Sequence, residues 1–149
     1  MVYKVGLIAG LFYLSTFPGM MNMTGTTDDI AIQVIDGRTG KPLMHQHILV
    51  FGGETDREAE QQQSHYEPTT DDKGLAILSL SKRVQWIQVW VDWNSLCQNK
   101  QLKRNFSIAE ISASGLNSIN ACSSISLNKI PGRLIIYVRP EHFWEKMKH

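Results

Sequence analysis

Neither sign of charge is in excess in this chain: 15 Lys and Arg stand against 14 Asp and Glu, a formal net charge of +1 at pH 7. A general nucleic-acid binder carries a strong basic excess, so that class is excluded. Cysteine is equally scarce, with two among 149 residues. Cys97 and Cys122 have no CxxC partner and no histidine near in sequence to lower a thiol pKa. This argues against a catalytic thiol, and the pair is too sparse for a zinc cluster. No G-x-S-x-G, H-E-x-x-H or phosphate-binding glycine loop occurs, so neither a catalytic residue nor a cofactor is expected. Long hydrophobic runs are missing too. The N-terminal "VGLIAGLFYLSTF" has about thirteen mostly apolar residues, short of a confident membrane span.

What that run does match is the h-region of a signal peptide, preceded by a short basic start in "MVYK" and broken by Pro18 and Gly19. The sequence lacks a clean A-x-A site and a lipoprotein cysteine. The expectation is a signal peptide over residues 1–26, cleaved somewhere between about Gly19 and Thr27, and a single domain over 27–149. An uncleaved N-terminal anchor is the alternative. The mature chain would be periplasmic or secreted, with no membrane span after signal removal. In an oxidising compartment an even pair of cysteines reads as a disulfide, so Cys97–Cys122 is expected to close a loop of roughly 25 residues, stabilising by about 3 kcal/mol. Beneath the balanced total, acids crowd the stretch from Gly52 to Asp72, and bases dominate after Asn99. Such poles are able to orient an assembly, although scattered solvated charge explains them as well.

The body reads as short strands punctuated by turns. Ile30, Ile32 and Val34 alternate in "IAIQVID"; "GRTGKP" then marks a tight connection. "HQHILVFGG" is the second strand. "ETDREAEQQQSHYEP" lacks apolar periodicity and reads as a mobile loop. "LAILSL" alternates at Ala76, Leu78 and Leu80, "VQWIQVWVDW" is the longest strand, and "RLIIYVRP" the last. "SIAEISASG" has Ser107 three residues before Glu110 and ends at Gly115, which predicts a short helix, with a short strand as the competing reading because Ile and Ser are indifferent helix formers. In "PEHFWEKMKH", Pro140 and Glu141 favour about two helical turns, with Phe143, Trp144 and Met147 docking on the sheet.

Two of these stretches carry a resemblance. "VIDGRTGKPLMHQHILVFGG" followed by "TTDDKGLAILSL" resembles the opening of carboxypeptidase regulatory-like, or transthyretin-like, domains. The D-x-x-T-G-x-P turn is matched by Asp36, Thr39, Gly40 and Pro42, and the T-D-x-x-G turn by Thr70, Asp71 and Gly74. The resemblance spans roughly positions 30 to 92; the remainder is similar to small exported bacterial proteins that carry this domain. It implies an all-β fold: a seven- or eight-stranded Greek-key β-sandwich, here with a short inserted helix and a C-terminal helical turn. Enzymes of the broader fold would require more. Hydroxyisourate hydrolases use spaced histidines, an arginine and a Y-R-G-S, where this sequence reads "EKMKH". Intradiol dioxygenases hold iron with two tyrosines and two histidines, whose spacing Tyr66, Tyr137, His142 and His149 do not reproduce.

Four constellations are candidates for chemistry. Asp71 and Asp72 in "TTDDKG" raise a metal or acid/base site, but the further oxygen ligands of a calcium loop are missing. A turn suffices: Asp71 is expected to brace it, Gly74 to take positive φ, and Asp72 to face solvent. His45 and His47 would share a face if both lie on a strand, and no third ligand is visible. His142, Glu145 and His149 share a face if the tail is helical, and "HFWE" imitates the H-x-x-E of zinc carboxypeptidases. In "VQWIQVWVDW", finally, Ile87, Val89 and Val91 suit the core, while Trp86, Gln88 and Trp90 point the other way. The two indoles, about 13 Å apart, form either a stacking platform for a sugar or peptide, or a second small core covered by the tail's Phe143 and Trp144. The expected function is that of a non-enzymatic accessory module binding protein or glycan at the cell envelope. A carbohydrate-binding module using Trp86 and Trp90 is the alternative, and a small metal-dependent or transthyretin-like hydrolase the third reading.

Overall fold

The computed structural model describes residues 27–92, 94–98 and 105–140. Among these, nine strands and two short helices follow one another. They are β1 (Thr27–Asp36), β2 (Ile48–Gly53), α1 (Asp56–Glu60), β3 (Ser64–Tyr66), β4 (Leu75–Ser81), β5 (Trp86–Val91), β6 (Asn94–Leu96), β7 (Asn105–Ser107), α2 (Ile108–Ser114), β8 (Leu116–Asn117) and β9 (Arg133–Pro140). The first sheet has the order β4-β1-β9-β6, with β8 also on β9. In it β1 is antiparallel to β4 and parallel to β9. The second sheet, β3-β2-β5-β7, is antiparallel throughout.

Period-two alternation explains why the sheets meet face to face. Ile30, Ile32 and Val34 of β1, Ala76, Leu78 and Leu80 of β4, and Leu134, Ile136 and Val138 of β9 point to one side. Ile48 and Val50 of β2 and Ile87, Val89 and Val91 of β5 point back at them, and all belong to one buried cluster. α2 closes this core with Ile108 and Ile111. The helix starts where Ser107 accepts the Glu110 amide and stops at Gly115, whose φ is 75°. At Gly115 a Cβ would lie 2.2 Å from the Ile130 carbonyl oxygen, so glycine is required for the chain to pass.

A second, smaller core lies on the outer face of the first sheet. Ile35, Ile135 and Tyr137 are covered there by Cys97, Cys122 and Leu127. The covering segment has no regular structure, so side chains and single backbone bonds hold it. Asn120 Nδ2 donates to the Gly37 and Ile125 carbonyls, the Leu127 amide donates to the Tyr137 hydroxyl, and Ser118 Oγ accepts the Tyr137 amide. The Cys97–Cys122 disulfide, expected from cysteine parity, fastens this segment to the residue that follows β6.

Two expectations are corrected. The stretch read as a mobile loop contains α1 and β3. α1 is started by a capping box, in which Thr55 accepts the Glu58 amide while the Glu58 carboxylate accepts the Glu54 and Thr55 amides. The second strand begins at Ile48 rather than before it, because His45 sits in a turn at φ 53°. The stretches expected to form a signal peptide (residues 1–26) and a C-terminal helical turn with Phe143, Trp144 and Met147 lie outside the described residues.

Candidate binding face on the second sheet

The residues of "TTDDKG" form a turn with every close contact accounted for. Asp71 Oδ1 accepts the Leu75 and Lys73 amides at 2.9 and 2.8 Å, and its carbonyl accepts the Gly74 amide at 3.0 Å. These amide dipoles, Leu75 first and Lys73 next, hold the Asp71 carboxyl below its ordinary range. A carboxylate so engaged is a brace, not a proton donor. Gly74 has φ 71°. Asp72 is exposed and lies 3.1 Å from His45 Nε2. Thr70 is buried, donating to the Leu43 carbonyl and accepting the Gln46 amide. The earlier turn is built in the same manner: Asp36 Oδ1 accepts the Arg38 amide, its carbonyl accepts the Gly40 amide, and Gly40 has φ 72°.

The histidines do not share a face in the way strand geometry would require. The turn at His45 directs that side chain to Asp72, whereas His47 Nδ1 meets Asp92 Oδ2 at 2.7 Å. Glu67 stands between His47 and His65, its oxygens 3.7 and 3.8 Å from their Nε2 atoms. Those separations exceed hydrogen-bonding distance and leave only electrostatic attraction across exposed side chains. Among the described residues no group of three or more His, Cys, Asp and Glu is arranged to hold a metal. His142, Glu145 and His149 lie outside the described residues.

The outward face of the second sheet is the most distinctive surface. Register places Trp90 opposite Leu49, Gln88 opposite Phe51 and Trp86 opposite Gly53. α1 packs against β2, β5 and β7 and covers one end of this face. Its docking depends on Gly53, where a Cβ would come within 2.5 Å of the Ala59 amide nitrogen, and Ala59 is fully buried. From β7, Asn105 Nδ2 donates to Asp56 and Glu60 on the helix. At the covered end Phe51 is buried and Trp86 half-buried. At the other end Trp90 keeps 40% of its surface exposed. Gln88, the amide between the two indoles, accepts the Trp90 Nε1–H at 3.2 Å and orients that ring.

Trp90 therefore stands in a patch made by Leu49 beside it and, beyond, the polar cluster of His47, Asp92, Glu67 and His65. Sequence reasoning selected Trp86, Gln88, Trp90 and His47 but missed Leu49, His65, Glu67 and Asp92. Thr55-x-x-Glu58, the one available signal for α1, was present in the sequence. A shallow groove of ≈ 430 Å³ also opens near Tyr66 and Arg83. Its Glu58 carboxylate and Ser64 hydroxyl are already committed to backbone groups. No family model matches this chain, and no curated protein matches it.

Proposed function

We propose that this chain is a non-enzymatic accessory module of the cell envelope, periplasmic or secreted, that binds protein or glycan through the Trp90 end of its second sheet. The observation that carries the reading is an indole with 40% of its surface exposed, its N–H bonded to Gln88, with aliphatic Leu49 beside it and the acid–histidine cluster beyond. A large aromatic with its orientation fixed is the kind of group that dominates recognition surfaces, since little rotamer entropy is lost on binding. The fold assigned is a Greek-key sandwich of the carboxypeptidase regulatory-like kind. Supporting it are the parallel pairing of β1 with β9 and the turn residues Asp36, Gly40, Asp71 and Gly74, which make the contacts such turns need. An extracytoplasmic place fits the disulfide and the absence, among the described residues, of any helix long and apolar enough to cross a membrane.

A carbohydrate-binding reading is favoured by the same indole, because sugar C–H faces stack on Trp rings while carboxylates and imidazoles bond hydroxyls. Glycan-array and envelope-extract pull-down binding by the wild type and Trp90→Ala separates the two. Loss of a Trp anchor costs on the order of 2 kcal/mol, about a thirtyfold weakening. Circular dichroism of the variant should match the wild type. Binding that survives Trp90→Ala unchanged would remove this face from the function.

A further inference from the structure

β4 is an edge strand of seven residues, "LAILSLS", with no charge, proline or glycine inside it. Natural edges are normally guarded by such residues or by bulges. Backbone direction along it follows from two bonds of β1. The Val34 amide donates to the Gly74 carbonyl, and the Ala31 amide donates to the Gly132 carbonyl beside β9. Even-numbered residues of β1 therefore address β4, and odd-numbered ones address β9. By the β1–β4 register, Ala76, Leu78 and Leu80 spend their N–H and C=O on β1. The N–H and C=O of Leu75, Ile77, Ser79 and Ser81 point off the sheet.

The two ends of this outward row are closed by the chain itself. Asp71 takes both groups of Leu75: its Oδ1 accepts the Leu75 amide, and its own amide donates to the Leu75 carbonyl. At the far end the Ser81 carbonyl accepts the Val84 amide. Between them Ile77 and Ser79 remain, and no described strand lies beyond β4. The Ile77 side chain, on the outer face, is 67% exposed. A pair of donors and acceptors two residues apart, next to an exposed aliphatic side chain, is the surface to which an extended strand adds.

We propose that a second copy of this chain pairs here, β4 against β4 in antiparallel register about a two-fold axis at Leu78. Ile77 then faces Ser79 of the other copy and Ser79 faces its Ile77, so that every open N–H in the window meets an open C=O. The two Ile77 side chains become diagonal neighbours on one continuous face. Charge selects this occupant over an arbitrary strand. Asp71, Asp72 and Lys73 precede β4 and leave its entry net negative, Lys82 and Arg83 follow it, and all five are exposed. Antiparallel pairing brings the acidic turn of each copy beside the basic hairpin of the other. The near-zero net charge opposes association little.

Sedimentation velocity of the purified protein from low to high micromolar concentration tests this, with hydrogen exchange at single amides alongside. The wild type is expected to form a concentration-dependent dimer in which the Ile77 and Ser79 amides gain protection, while Ala76 and Leu78 are protected at all concentrations. Ser79→Pro removes an outward N–H without touching the β1 ladder and should abolish the dimer. Ile77→Lys, which leaves the backbone intact, should do so by like-charge repulsion should the proline disturb folding. Ser79→Ala should dimerise as the wild type does. A wild type that stays monomeric at the highest concentration overturns the proposal, as does an Ile77→Lys variant that still dimerises, or a wild-type dimer in which the Ile77 and Ser79 amides exchange freely.

Discussion

Replacing both cysteines, Cys97→Ser with Cys122→Ser, should destabilise the protein by about 3.5 kcal/mol. The bond closes a sequence separation of 25 residues. The loop-entropy relation gives roughly 12 cal/mol/K for such a loop, hence about 3.5 kcal/mol at 25 °C. Unfolding a domain of roughly 120 residues releases about 0.25 kcal/mol/K, so the melting temperature should fall by roughly 10–15 °C. The structure also says where the loss is felt first. Cys97, Cys122 and Leu127 cover Ile35, Ile135 and Tyr137, and the covering segment has no ladder of its own. Without the bond, amides that depend on this cover should exchange faster than those of the main core. They are those of Leu127, bonded to the Tyr137 hydroxyl, and Ala121, bonded to the Cys97 carbonyl. The β2 and β5 amides, in the other sheet, should change only as much as global stability does. Urea melts of oxidised wild type and the double variant give the total, and native-state hydrogen exchange gives the distribution. A double variant as stable as wild type, or one whose excess exchange appears in β2 and β5, would refute the reasoning.

Gly53→Ala should cost about 1–3 kcal/mol by overpacking, because the new methyl meets the Ala59 amide nitrogen and the Glu58 backbone, neither able to swing aside; chemical denaturation reads it, and unchanged stability would mean that α1 does not rest on that glycine. Asp71→Asn should lower stability at neutral pH, with a difference from wild type that shrinks on acidification. The folded-state pKa of Asp71 is depressed, so its contribution is present above the ordinary aspartate value of about 3.9 and is lost as pH falls through the lower folded one. Melting temperatures of both proteins across that window should converge, and a constant gap would contradict the charge-based part of the brace.

The strands legible in the sequence are those whose own alternation marks a buried face. Ile30, Ile32 and Val34, Ala76, Leu78 and Leu80, and Ile87, Val89 and Val91 each declare their inward side without help from the rest of the chain. α2 was legible from Ser107 and Gly115 because capping is local chemistry. α1 carries the same kind of local signal in Thr55 and Glu58, but it was passed over because its buried surface is Ala59 alone among charged residues, with no apolar stripe, and its docking rests on Gly53 and Asn105. β6, β7 and β8 are too short to show any period. The parallel pairing of β1 with β9 is a long-range fact to which no local signal corresponds.

The same distinction explains what became of the candidate residues. Alternation placed Trp86, Gln88 and Trp90 on an outward face, and the strand keeps them there. Which part of that face reaches solvent was decided by α1, a helix with a capping signal but no apolar stripe, so two equivalent indoles became one half-buried and one exposed. His45 and His47 were separated by a single positive φ, a choice that no periodicity reports. Asp71 shows the converse. A local turn rule sufficed to give it a role, and that role extends beyond the turn: by bonding both groups of Leu75, Asp71 sets where the exposed edge of β4 begins. Local chemistry thus fixes the boundary of a surface whose occupant only tertiary structure can suggest.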